Sequence, residues 1–234
     1  MALEPDEERR TVGAQRAPSA RRSQEERSSA TRKVLLDATL RALATHGFAN
    51  ASITEVLRFT RMSRGALLHH FPSKHELFAA AMVHLYEQRL ARFRKELASL
   101  PLGDGTLRER LRIFREEFER WFPVTIEFMT AIRTDEALRN AFDRRINATI
   151  DQMTTDYSDL YPEFRNTPAA PWIPYVISCF IRGLCLEGIV NDQHIVNGTF
   201  DQFATILEHY QKGLRAERTG NGARGGKRSR KRSR

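Results

Sequence analysis

The sequence is poor in cysteine and has no long apolar run. Only Cys179 and Cys185 occur among its 234 residues, too few for a disulfide framework or for a zinc site made of cysteines. No stretch of 18 apolar residues is present, so the sequence predicts no membrane-spanning helix. The first residues also lack the apolar segment of a secretory signal. We therefore expect a cytoplasmic protein that has no membrane partner.

Motifs that carry catalysis or hold metals are missing as well. The sequence contains no glycine-rich phosphate loop and no nucleophile elbow, and its carboxylates are spread over predicted helix surfaces. His69, His70, His75 and His84 follow no sustained metal-ligand spacing. We therefore expect no metal, no cofactor and no enzymatic activity.

The charge of the chain is positive and unevenly distributed. The formal net charge is +9. Residues 31–75 carry seven basic and two acidic side chains, and residues 76–214 carry 16 basic and 20 acidic ones. Residues 215–234 carry nine basic side chains and one acidic one. A basic N-terminal unit, a mildly acidic body and a basic tail favour nucleic acid as the partner and indicate separate roles for these parts.

Apolar spacing predicts helices between the two ends of the chain. Leu36, Leu40 and Leu43 recur at helical intervals, and Gly47 is placed to end this helix. A similar stripe that starts at Leu107 is expected to end at Pro123. No strand-like alternation persists, so we predict an all-α fold of roughly nine helices. Large apolar residues are scarce in two terminal segments, which we expect to be disordered: residues 1–27 and 215–234.

Three serines divide the stretch around residues 52–76 into short helices. Ser52 with Glu55, and Ser73 with Glu76, match capping boxes, in which the glutamate carboxylate reaches back to the cap. Ser63 is a further N-cap candidate. The spacing predicts helices at about 53–60 and 64–70 and a long one that starts at 74. Two short helices joined by a turn and preceded by a longer helix form a helix-turn-helix motif.

The helix predicted at 64–70 is the candidate DNA-reading element. Leu67 is expected to pack inward, which leaves Arg64, Gly65, Ala66 and His69 outside. A short exposed helix with basic residues and no acidic ones suits a major groove, where the Arg64 guanidinium can contact guanine. The alternative is a packed helix with a solvated basic face.

Two segments resemble the DNA-binding domain of the tetracycline-repressor (TetR) family: Ser52-Ile-Thr-Glu-Val-Leu and Met62-Ser-Arg-Gly-Ala-Leu-Leu-His-His-Phe-Pro-Ser-Lys. The resemblance covers about 50 residues, including Gly47 and Phe48 upstream. Three places depart from the family pattern, namely Leu57, Thr60-Arg61 and Leu68. Arg61 either adopts a left-handed backbone, or the turn closes differently and Arg61 becomes an extra positive contact. Leu68 either touches a thymine methyl group or packs.

The resemblance implies a three-helix DNA-binding domain at 28–75, with its motif at about 52–71, and a helical effector-binding and dimerisation domain at 76–214. It implies that the following residues contact DNA: Thr54, Ser63, Arg64, Gly65, Ala66, His69, His70 and Lys74. Lys74 is the one expected to contact a phosphate. It implies homodimerisation through helices near 172–190 and 199–214. The candidate lining of an apolar effector pocket is Phe118, Trp121, Phe122, Phe128, Met129, Tyr175 and Phe180.

The resemblance and the charge pattern leave two functions open. The first is a regulator, expected to be a repressor, that a small hydrophobic effector releases from a near-palindromic double-stranded operator. The second is an architectural protein that coats DNA without an effector. The basic tail fits both, as a nonspecific DNA anchor or as a solubilising end.

Overall fold

A computed structural model describes residues 18–100, 106–147 and 160–229, with side chains described between residues 24 and 216 of these. The described residues form helices and connecting turns and contain no strand, which confirms the all-α prediction. The α-helices are α1 Pro18–Asn50, α2 Ile53–Arg58, α3 Arg64–His70, α4 Lys74–Leu97, α5 Thr106–Thr134, α6 Glu136–Asn147, α7 Ile173–Glu187 and α8 Gln193–Ser229. A 3-10 turn, Pro162–Phe164, precedes α7.

The three predicted serine caps start α2, α3 and α4. The hydroxyl oxygens of Ser52, Ser63 and Ser73 each accept the backbone N–H three residues later, at 3.2 Å. Each cap satisfies one of the N–H groups that a helix start leaves without a partner inside the helix. Residues 53 and 64 begin their helices as predicted, and α2 ends at Arg58, two residues earlier than expected.

The glutamates of the two capping boxes form ion pairs with arginines. The carboxylate of Glu55 accepts a hydrogen bond from Arg58 at 3.1 Å. The carboxylate of Glu76 accepts hydrogen bonds from Arg144 and Arg145 of α6. A guanidinium is a stronger donor to a carboxylate than a neutral backbone N–H, so Glu76 contributes to the contact between α4 and α6.

The first and last described helices extend into the two terminal segments whose composition predicts disorder. Helix α1 already begins at Pro18, inside the segment 1–27 expected to be disordered, and α8 continues through 215–229. Proline suits the first position of a helix, and the alanine, arginine and glutamate that follow are strong helix formers. Extension of an existing helix costs little compared with nucleation, which favours the continuation of α8. Residues 1–17 and 230–234 lie outside the described residues.

Helix α5 also continues where a break was predicted. It runs through Pro123 to Thr134, although proline removes one backbone hydrogen bond of a helix. Pro123 lies on an exposed face, where water can bind the carbonyl oxygen that loses its partner. Phe122 and Val124, on either side of it, are buried, so packing holds both halves of α5 in place.

Two apolar cores share α4 and α5. We call the first the N-terminal core; it joins α1, α2 and α3 to the first half of α4, as far as Leu85, and includes Val124 and Phe128 of α5. The second, the body core, joins the remainder of α4 and α5 to α7 and α8. The predicted domain boundary at residue 75 therefore falls before the end of the N-terminal core, because α4 is one unbroken helix of 24 residues.

Within the described ranges, no helix is both long and apolar enough to cross a membrane. The same part of the chain contains no group of three histidine, cysteine, aspartate or glutamate side chains that could hold a metal ion.

Candidate nucleic-acid interface

Helix α3 is anchored by one residue and exposes its neighbours. Leu67 is 0% exposed and lies in the N-terminal core. Arg64, Gly65 and Ala66 are exposed, and the Ser63 cap fixes where the helix begins. A seven-residue helix held from one side in this way can enter a groove of DNA without unfolding its scaffold.

The remaining predicted DNA contacts divide between exposed and partly buried positions. Thr54 of α2 and His69 of α3 are exposed, whereas His70 is half-buried. Leu68 keeps about a third of its surface exposed, so it points outward instead of packing. This exposure favours the apolar contact with a base over the alternative that Leu68 is part of the core.

The turn between α2 and α3 closes without a left-handed residue at Arg61. Among the described non-glycine residues, only Asn166 has a positive φ. The hydroxyl oxygen of Thr60 instead accepts the N–H of Met62 at 3.2 Å and donates to the carbonyl oxygen of Leu57 at 3.2 Å. Arg61 is exposed at this corner. The turn therefore closes without the left-handed Arg61 of the first alternative, and a contact of Arg61 with DNA stays a prediction.

Lys74, the predicted phosphate contact, is tied to the scaffold. Its ammonium donates to the carbonyl oxygen of Phe48 at 2.9 Å and lies 4.4 Å from the centre of the Phe48 ring and 5.3 Å from that of Phe78. Burial lowers the pKa of this ammonium, and the charge of Asp135 partly opposes the shift. The sequence did not reveal this role, because it depends on a residue 26 positions earlier in the chain.

The backbone of Phe48, whose carbonyl oxygen Lys74 contacts, is also held from α5. The N–H of Phe48 donates to the carboxylate of Glu127 at 3.3 Å. Gly47, just before it, has φ +66°, the left-handed region that glycine adopts at low cost. The predicted break at Gly47 is therefore present as a kink within α1, and the N–H and the carbonyl oxygen of Phe48 are bonded to side chains of α5 and α4.

The structure does not bring the seven candidate pocket residues together. Phe118 and Phe122 lie in the body core, whereas Phe128 lies in the N-terminal core with Trp121 packed against it. Phe180 stacks on Phe203 of α8, with ring centres 3.7 Å apart. The other two face different surroundings: Met129 is half-buried, and Tyr175 is exposed. Helical spacing predicts which side of its own helix each residue lies on, but it does not predict which of the two cores that side faces.

A small void lies inside the body core, beside buried charges that the sequence did not single out. It measures about 10 Å³, room for one water molecule, and is lined by Arg89, Leu90, Phe93, Phe114 and Glu117. The guanidinium of Arg89 lies 4.2 Å from the centre of the Phe118 ring. The carboxylate of Glu117 is 3% exposed and pairs with Arg92 and Arg120 at 3.5 and 3.3 Å.

Comparisons with known proteins agree with this architecture. Residues 35–81 match the family model described as bacterial regulatory proteins, tetR family. The chain is 31% identical over 183 residues to the HTH-type transcriptional regulator Mb2936c of Mycobacterium bovis, a match that covers 77% of this chain and 89% of that protein. It is 36% identical over 127 residues to the HTH-type transcriptional regulator CymR of Pseudomonas putida. This second match covers 54% of this chain and 63% of CymR, less than two thirds of its length.

A solved structure shares the fold. The crystal structure of a transcriptional regulator from Rhodococcus sp. Rha1 superposes with a TM-score of 0.56 at 24% identity, covering 75% of this chain and 94% of that one. By fold and exposed surface, the protein is therefore a helix-turn-helix DNA-binding protein. It belongs to the tetR family of bacterial regulatory proteins and is a transcriptional regulator.

Proposed function

We propose that the protein is a repressor that binds a near-palindromic operator as a homodimer and releases it when a small hydrophobic effector enters the body. The observation that carries the DNA-binding part is the presentation of α3, in which a buried Leu67 holds an otherwise exposed basic helix. The residues proposed to contact DNA are Thr54, Ser63, Arg64, Gly65, Ala66, His69, His70 and Lys74. Lys74 also holds the turn at Phe48 through its hydrogen bond to the carbonyl oxygen of that residue.

The proposed dimer interface is the exposed apolar surface of α7, α8 and the turn between them. Val190 is 80% exposed and Ile206 is 64% exposed, and Tyr175 and Val176 of α7 are also exposed. Exposed large apolar side chains are typical of a protein interface when they form one patch, and the proposal is that these do. In a two-fold dimer, two copies of α3 would lie about 34 Å apart, the repeat of the major groove.

The proposed effector site is the part of the body core that surrounds the void. Phe93 and Phe114 line the void, and the ring of Phe118 packs against that of Phe114. An apolar ligand that displaced these rings outward would be in contact with them. Of the seven pocket candidates, Phe118 and Phe122 are in the same core as this void. Effector binding would weaken operator affinity only to the extent that it favours a different spacing of the two α3 helices.

The test is a footprint on the DNA upstream of the gene, with excess nonspecific competitor, for the whole chain and for a chain that ends at Leu214. A regulator protects a discrete region of roughly 15–30 base pairs in both forms, because both keep two recognition helices. Arg64→Ala should weaken this binding about 5- to 150-fold. The control Arg112→Ala, on the exposed face of α5, should bind as the unaltered protein does.

The architectural alternative makes the opposite prediction. A protein that coats DNA broadly would lose its protection when competitor is added, or when the basic tail is removed, because its affinity rests on phosphate contacts without sequence preference. Either result would replace the repressor in this proposal with the architectural function.

A further inference from the structure

Helix α3 exposes one large apolar side chain, that of Leu68. Its side chain is 37% exposed, whereas Leu67 beside it is 0% exposed. The other exposed residues of α3 are small or basic, namely Arg64, Gly65, Ala66 and His69. Single exposed leucines are common on protein surfaces, so exposure alone gives Leu68 no role. What singles it out is its position on the helix that is presented to DNA.

Leu68 lies one turn after Arg64. Residues four apart in sequence lie on the same side of a helix, about 6 Å apart along its axis, so the two side chains project from one flank of α3. Neither of them is buried. Successive base pairs of DNA are about 3.4 Å apart. When α3 lies along the groove, the two side chains therefore reach base pairs about two steps apart.

Gly65 lets the backbone of α3 approach a partner closely. It lies opposite the buried Leu67, because two residues of a helix correspond to a rotation of about 200°. Among the described glycines only Gly47 has a positive φ, and a Cβ at Gly65 would lie 3.9 Å from the Ser63 hydroxyl oxygen, an ordinary contact. The folded chain therefore has no need of a glycine here. Its bare backbone allows the neighbouring Leu68 to reach the edges of the bases.

The chemistry of leucine selects one feature of the major groove. Thymine presents its 5-methyl group there, whereas the edges of adenine, guanine and cytosine present hydrogen-bond donors and acceptors. The side chain of Leu68 has no polar atom. It therefore gains free energy by covering a methyl group, and loses it by covering polar groups with which it cannot pair.

We propose that Leu68 is a specificity-determining residue that contacts the 5-methyl group of a thymine, about two base pairs from the base pair that Arg64 contacts. The inference rests on the proposed operator binding and adds a residue to those proposed to contact DNA. In a two-fold dimer the contact occurs once in each half-site, because each protomer presents one α3.

The test replaces thymine by uracil at symmetric positions of the protected DNA, one pair of positions at a time, and measures affinity by fluorescence anisotropy. Uracil lacks only the methyl group and pairs with adenine as thymine does. At one pair of positions the replacement should weaken binding of the whole unaltered chain about fourfold to fifteenfold, the loss of one or two methyl-sized apolar contacts. Leu68→Ala should bind the thymine and uracil operators almost equally.

Two further variants separate a lost contact from a misfolded helix. Leu68→Met keeps an apolar chain of similar length and should retain the difference between the thymine and uracil operators. Arg64→Ala should weaken binding to both operators but keep the ratio of the two affinities, because it removes a different contact.

A contact between Leu68 and thymine is ruled out if no uracil replacement weakens binding, or if the ratio of affinities is the same in Leu68→Ala as in the unaltered chain. Failure of the proposed repressor function looks different, since a protein that coats DNA leaves no discrete protected region once competitor is added. Such a protein reads no thymine, and both proposals then fall together.

Discussion

At the scale of single residues, the backbone of Phe48 is the point where α1, α4 and α5 meet. Its N–H donates to Glu127 of α5, and its carbonyl oxygen accepts from Lys74 of α4. Gly47 gives the chain the left-handed turn that presents both groups. The entry into the helix-turn-helix motif is therefore fixed by side chains of the two helices that also build the body core.

Replacing Gly47 with alanine should destabilise the fold by about 1–3 kcal/mol. A side chain at φ +66° is strained, and its Cβ would lie 2.8 Å from the Glu127 carboxylate oxygen. Denaturant unfolding measures the change in the free energy of unfolding. Gly198→Ala is the control, since a Cβ there meets nothing within 4 Å and alanine favours the helix. Equal stabilities for the two variants would contradict this account of the Phe48 turn.

At the scale of helices, α4 and α5 connect the two cores. Helix α5 has 29 residues and is therefore about 43 Å long, so its aromatic stripe crosses from the body core into the N-terminal core. Glu76, in the first turn of α4, adds a polar connection by pairing with Arg144 and Arg145. These contacts offer a physical route by which a change in the body could move α4 and the helices packed on it.

Replacing Glu76 with glutamine should cost about 1 kcal/mol at neutral pH, the upper end for partly exposed ion pairs. Burial acts to raise the pKa of Glu76, but hydrogen bonds from Arg144 and Arg145 outweigh it, so the pKa lies below the ordinary 4.5. The ionised form is therefore favoured in the folded protein. Its contribution is complete above pH 4.5 and is lost as the pH falls through the lowered pKa.

Unfolding free energies measured from neutral pH down to pH 3 check this expectation. The gap between the unaltered protein and the Glu76→Gln variant should stay constant above pH 4.5 and close below it. Glu96→Gln, near the other end of the same helix, serves as the control for a changed carboxylate on α4. A gap that widens as the pH falls would have the wrong sign for this ion pair.

At the scale of the whole molecule, the exposed apolar residues of α7 and α8 support the proposed dimer. Val190 and Ile206 are more exposed than apolar residues of their size usually are. A second copy of the chain would cover this surface and would also pair the recognition helices. Operator affinity and dimerisation should therefore be lost together.

Replacing Ile206 with glutamate should convert the proposed dimer into a monomer. A buried charge without a partner is costly at an interface, whereas the monomer itself should change by no more than about 0.5 kcal/mol because the side chain is exposed in it. Light scattering at micromolar concentration measures the mass, and the footprint measures the operator. Gln202→Glu, also exposed on α8, is the control. A monomeric mass for the unaltered protein would remove the dimer from the proposal.

The sequence by itself determined the local features of this protein. The serine caps of α2, α3 and α4, the inward Leu67 and the break at Gly47 each depend on residues within one turn of the chain, so spacing and residue type were enough to predict them. The same local signals misplaced the end of α5, because packing can override a proline.

Only the tertiary structure decided which of these local elements meet. The inward contact of Lys74, the Glu127 bond to Phe48 and the division of the pocket candidates between two cores join residues far apart in sequence. Helical periodicity gives the direction of a side chain about its own axis but not the helix it faces.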